Sequence, residues 1–143
     1  MFVLATLLGV PAMIILIAAG LLHLYWAMGG TIGKRAAIPE VSGTPVLRPT
    51  AGKTGWIGIN LLIAAAIVAI RLHFLMAPIP PQTIGILCWV LAAVSAARAL
   101  GDFRLVGFFK KVKDSEFARL DTKIYSPACL FVSLAFIAAA AAR

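Results

Sequence analysis

From Leu4 to Met28 the chain carries no charged side chain, a run longer than the ~20 residues a helix needs to cross the hydrocarbon of a bilayer. A segment of that kind restricts the fold to one built in or around lipid. Three more apolar runs follow, from Trp56 to about Met76, from Gln82 to about Leu100, and from Pro127 to Ala142. With 62% hydrophobic residues, against roughly half in a soluble domain, the chain is expected to be all-α. It should form a single-domain, integral membrane four-helix bundle over residues 1–143. A cleaved leader would carry a basic start and a shorter apolar core; Met1, Phe2 and Val3 are uncharged, so the first run is expected to remain as a span.

The first run should present one small-residue face inward. Gly9, Met13, Leu16, Gly20, His23 and Ala27 recur at spacings of four and three, which stacks them on one side of a helix; Pro11 removes one hydrogen bond and favours a kink. The third run does the same with Gly85, Cys88, Ala92, Ser95, Ala99 and Asp102. The second places Asn60, Ala64, Ile67 and Arg71 on one face, with His73 roughly opposite Arg71 and Pro78, Pro80 and Pro81 ending the run. Arg71, near that end, is expected to snorkel to the headgroups. For the fourth run, Ser126 as N-cap and Pro127 at the first helical position make a normal start, although the run is short for a span.

The chain's net charge of +8 lies in the connectors. Residues 29–55 hold Lys34, Arg35, Arg48 and Lys53; the stretch from Arg98 to Pro127 holds Arg98, Arg104, Lys110, Lys111, Lys113, Arg119 and Lys123, leaving only Arg71 and Arg143 for the other side. The positive-inside rule therefore places connectors 29–55 and 101–126 in the cytoplasm and both termini outside. Anionic lipid headgroups account for the charge, and with no recognition module beside it nucleic acid is not the expected partner. In the third connector Phe103, Phe108, Phe109, Val112, Phe117 and Leu120 alternate with these charges, which predicts short interfacial helices. The segment PTAGKTG ends like a phosphate-binding loop, but position 47 is Leu where that motif requires Gly, so the motif fails.

Folding four spans back on one another gathers His23, Tyr25, Asn60, Ser95, Arg98, Asp102 and Arg104 in the cytoplasmic half, the best candidate for a polar or ligand-binding cluster. Arg98 and Asp102, at i and i+4, are placed to pair, and His23 beside them would serve as proton carrier or ligand group. Alternatively these groups bond one another, cap helix ends and lock the packing. No catalytic residue, metal set or cofactor emerges. His23 and His73 differ in depth by about 18 Å at ~1.5 Å per residue, too far for one iron. Cys88 and Cys129 differ by about 15 Å on the same arithmetic, beyond the reach of a disulfide.

The segments GLLHLYWAMGG, PTAGKTGW, ARALGDFRLVGFFKKV and FARLDTKIYSPACL together resemble a family of small four-span bacterial inner-membrane proteins known only as a domain of unknown function. The resemblance covers essentially the whole chain. It implies a multi-pass protein of the bacterial cytoplasmic membrane and no site residues. Two functions follow as expectations. The first is an accessory or structural subunit of a membrane assembly or a homo-oligomer, with other membrane subunits or itself as partner besides the lipid bilayer. The second is binding or transport of a small or lipophilic ligand in the cytoplasmic half.

Overall fold

The computed structural model describes residues 1–142; Arg143, counted above on the outer side, lies outside the described residues. Four long helices account for most of them: α1 Phe2–Ala27 and α2 Ala51–Arg71, α3 Pro81–Leu100 and α4 Glu116–Ala141. All four are long and apolar enough to cross a membrane. Helix α1 packs along α2 and α3 along α4, and α1 against α4 joins the two pairs.

The core is made of small side chains. Ala5 and Ala12 of α1, Val68 of α2, Cys88 of α3, and Ala135 and Ala139 of α4 are all fully buried, which lets helix axes approach closely. At Gly20 and Gly58 the two backbones meet directly. A Cβ on Gly58 would sit 2.9 Å from the Gly20 carbonyl oxygen, and one on Gly20 would sit 2.9 Å from Leu62 and 3.1 Å from the Gly58 carbonyl oxygen. The small-residue face of α1 is thus occupied by α2 of the same chain. On α3 the face begins at Ile84 and Cys88, because a Cβ on Gly85 would meet nothing within 4 Å. Gly58→Ala is therefore expected to lower stability by about 1–3 kcal/mol through overpacking. Gly85→Ala should raise it by roughly 0.5–1 kcal/mol through helix propensity. Parallel thermal melts of the two variants check both signs.

Helix boundaries depart from the apolar runs where polar residues belong to the helix. Thr50 accepts a hydrogen bond from the Lys53 amide and caps α2, so Ala51 to Gly55 form the first turn and the helix does not wait for Trp56. It ends at Arg71 and not near Met76, since His73 turns the chain with φ +61°. Between α1 and α2, β1 Glu40–Val41 and β2 Thr44–Pro45 form a small antiparallel hairpin with Val41 opposite Thr44. Ser42 and Gly43, both at positive φ, make its two-residue turn.

The fourth helix corrects the sequence reading most. Its N-cap is Ser115, whose Oγ accepts from the Ala118 amide at 3.0 Å. Ser126 and Pro127 lie inside it. One π-turn, Asp121–Tyr125, sits within the helix. That wider turn brings Asp121 and Ser126, five residues apart, to one buried face, where an α-helix would set them well over 90° apart. The expected interfacial helices are absent among residues 101–115, which fold as an irregular loop. Phe117 points into the protein, while Phe103 and Phe109 stay exposed.

Arg71 also departs from expectation. Its guanidinium does not reach outward; Nε donates to the Ala139 carbonyl at 2.8 Å, and Nη2 donates to those of Ala140 and Ala142. These carbonyls lie at the C-terminal end of α4, where a cation also complements the helix dipole.

Candidate functional site

Both connectors fold over the same end of the bundle, tied by Tyr125 Oη donating to the Ala36 carbonyl at 3.2 Å. Trp26 folds the first connector back on α1 by donating from Nε1 to Ile32. Between α3 and α4 the chain makes a closed loop whose neck needs two glycines. Gly101 and Gly107 have φ +91° and +87°, and a Cβ on either would run into the opposite strand of the neck, at Val106 or Leu100. Asp102 holds the loop from within: its Oδ1 accepts the amides of Arg104, Leu105 and Val106 at 2.9, 2.7 and 3.0 Å. The Phe108 amide then returns to the Ala99 carbonyl at the end of α3.

The loop closes on Asp121, which is fully buried. Its Oδ1 accepts from Arg98 Nη2 at 2.9 Å, and its Oδ2 from the Gly107 amide at 2.8 Å and from Lys110 Nζ at 3.0 Å. Lys110, only 3% exposed, gives its other protons to the Gly107 carbonyl and to Thr122 Oγ1 at 3.0 and 2.6 Å. An ammonium has three donors, so Lys110 is saturated. Neither it nor Asp121 is free to act as nucleophile or base. Among the described residues, two buried side-chain polar atoms at this end have no hydrogen-bond partner, Arg98 Nη1 and Ser126 Oγ.

Of the seven residues chosen from sequence, Arg98 joins this centre, but its partner is Asp121 and not Asp102. Asp102 faces the loop amides, because the chain leaves the helix at Gly101 and turns the carboxylate away from Arg98. Arg104 is exposed and contributes backbone groups to the loop. His23 lies on α1 with Nδ1 2.7 Å from the Ala19 carbonyl, so that nitrogen carries the proton, and its ring meets Trp26 edge-on. Asn60 is exposed and donates to the Trp56 carbonyl of its own helix; Tyr25 is exposed and Ser95 half-buried. Among the described residues no side-chain hydrogen bond connects His23, Tyr25 or Asn60 to the Arg98 centre. His73 stacks on Phe2 at the far end of the bundle, so the two histidines stand at opposite ends. Among the described residues, no three of His, Cys, Asp and Glu gather to hold a metal ion.

Asp121 and Lys110 were missed from sequence. The available signal was the spacing of four from Phe117 to Asp121, which puts an acid on an apolar helical face. The pairing itself spans a loop and leaves no local pattern.

The loop amides, that of Val106 foremost, together hold the Asp102 carboxyl below the usual carboxylate range against an opposing desolvation that outweighs the Leu105 or Arg104 amide taken singly. With the folded pKa below the unfolded one, the stability this group supplies is present above the unfolded value of about 3.9 and is lost as pH falls through the folded value. Amide exchange at Arg104–Val106, corrected for intrinsic rate, should accelerate below about pH 4. In Asp102→Ala the same amides should already be fast at neutral pH and show no such step.

No curated protein and no solved structure matches the chain. A family model does match it from residue 14 to residue 136, taking in the second half of α1, most of α4 with Asp121, and the whole loop with Gly101, Gly107 and Lys110. The chain belongs to that family, described as Protein of unknown function (DUF3995).

Proposed function

We propose that this is a multi-pass protein of the bacterial cytoplasmic membrane that works without catalysis, as an accessory or structural subunit of a membrane assembly or as a homo-oligomer. One observation carries the reading: small residues close the interior while large apolar side chains face outward. Gly20 meets Gly58, and Ser133 Oγ donates to the Ala92 carbonyl at 2.8 Å. Leu7, Ile14 and Leu21 of α1 and Trp89, Val90 and Val94 of α3 are exposed, a surface suited to lipid and to neighbouring spans. The cations of both connectors then face the cytoplasm, with both termini outside.

Native mass spectrometry of the particle from lipid nanodiscs tests the assembly. A defined homo-oligomer, or other membrane subunits in fixed ratio, is expected, and Trp89→Ala on the outward face of α3 should weaken it. A bare monomer overturns the reading. Gly20 is unsuited to this test, since Gly20→Leu would break the α1–α2 contact within the chain. A second reading, binding of a small ligand at the connector end, rests on the ion-paired set Arg98, Lys110 and Asp121 and on the two unpartnered atoms at that end.

A further inference from the structure

The loop after α3 leaves an apolar patch on the surface. Phe103 and Phe109 are each 60% exposed, yet their rings lie beside each other with 6.3 Å between centres. Phe103 also holds φ +61°, a left-handed backbone that is an outlier for a bulky side chain. Strain of that kind persists only where the surrounding structure imposes it, and it gathers at functional segments. Here it leaves a large ring outside the loop, where the chain itself gains nothing from it.

The same loop gathers cations beside the rings. The Lys111 and Val112 amides donate to the Arg104 carbonyl at 3.2 and 3.0 Å, so Arg104 and Lys111 spring from adjacent arms. No acid stands between Phe103 and Lys113, and Asp102 is committed to the loop amides. Lys110 is spent on Asp121. Arg104, Lys111 and Lys113 are exposed, and among the described residues none of them forms an ion pair. Cations alone would make an ordinary solvated face; paired rings next to them do not.

Depth selects the occupant. The 20 residues of α3 rise ~30 Å at ~1.5 Å per residue, the thickness of a bilayer's hydrocarbon. The Phe108 amide is tied to the Ala99 carbonyl at 2.9 Å, which holds the neck of the loop level with the last turn of α3. Phe109 is the next residue and the Phe103 ring is beside it, so both rings stand at the hydrocarbon boundary. Aromatic rings are favoured there, and cations there meet lipid phosphates.

We propose that this loop docks on the anionic cytoplasmic leaflet, with Phe103 and Phe109 in the acyl boundary and Arg104 and Lys111 on the phosphate of an anionic phospholipid. It rests on the multi-pass reading above and is independent of assembly.

The experiment uses the full chain in vesicles of phosphatidylcholine alone or in equal parts with phosphatidylglycerol. Flotation of the wild type with the vesicles checks the multi-pass reading by itself. Phe109→Trp reports depth, after subtraction of the three native tryptophans measured in wild type. Its fluorescence should be quenched several-fold more by acyl chains brominated near the headgroup than by chains brominated near the bilayer centre. Phosphatidylglycerol should raise Tm by a few degrees, and less as salt is added. Arg104→Gln/Lys111→Gln should lose most of that rise, whereas Arg48→Gln/Lys53→Gln, which removes the same charge from the other connector, should keep most of it. Phe103→Asn relieves the backbone, since asparagine tolerates the left-handed region; it should fold at least as well as wild type yet show a smaller rise. An added tryptophan untouched by either brominated lipid, as it would be in a docking patch for a soluble protein, overturns the proposal. So does an equal loss in the two double variants, or an undiminished rise in Phe103→Asn.

Discussion

Asp121→Asn is expected to destabilise the protein by about 3–5 kcal/mol, the usual cost of breaking a buried ion pair by removing one partner. The wild-type carboxylate takes donors on both oxygens, from Arg98, Gly107 and Lys110. An asparagine retains one acceptor oxygen and turns an amide donor toward groups that can themselves only donate. It also leaves two cations facing each other, one of them almost fully buried. Lys110→Met should cost less, about 1–3 kcal/mol, because it removes a cation and leaves Asp121 with Arg98 and the Gly107 amide. The double variant Asp121→Asn/Lys110→Met should therefore be more stable than the sum of the two losses predicts, with a coupling of about 0.5–3 kcal/mol. Reversible unfolding in mixed detergent measures all four corners of the cycle. Asp121→Asn melting with wild type would mean that the ion pairs do not hold the loop.

Apolar runs made the four long helices legible, because helices apolar enough to cross a membrane are written in such runs. The third run, read as starting at Gln82, falls within one residue of α3, which starts at Pro81, and the inward position of Gly9, Leu16 and Gly20 was read from spacing alone. What spacing could not supply was any contact made by a long polar side chain across a loop. Arg71 looked like a snorkelling residue because its acceptors, the last carbonyls of α4, are backbone groups that no side-chain pattern encodes. Asp121 was obscured twice over. Its cation Arg98 had a nearer acid in Asp102, and the π-turn shifts the helical phase, so the face containing Ser126 and Ser133 does not extrapolate back to Asp121 at 3.6 residues per turn. Of that candidate cluster, Arg98 is the member that the structure brings into a charged centre at the connector end, with Asp121 and Lys110 there in place of Asp102.

Gly107→Ala should produce a loss of similar size by a different route. At φ +87° an alanine is strained, by roughly 1–2 kcal/mol, and its Cβ would also occupy the space of the Leu100 carbonyl and the Gly101 backbone. Neither obstacle is a side chain that can rotate away. The neck must open, and Gly107 carries both an amide that donates to Asp121 and a carbonyl that accepts from Lys110. Losing these adds about 1–3 kcal/mol for each buried group left unpaired. Gly43→Ala is the matched control: its φ is +76° but a Cβ there would meet nothing within 4 Å, so it should show the conformational penalty alone. The excess of Gly107→Ala over Gly43→Ala in unfolding free energy isolates the neck. If loop and ion pairs form one unit, Gly107→Ala combined with Asp121→Asn should cost little more than the worse of the two alone. Simple addition of the two losses would instead mean that the neck and the buried charges stabilise the protein independently.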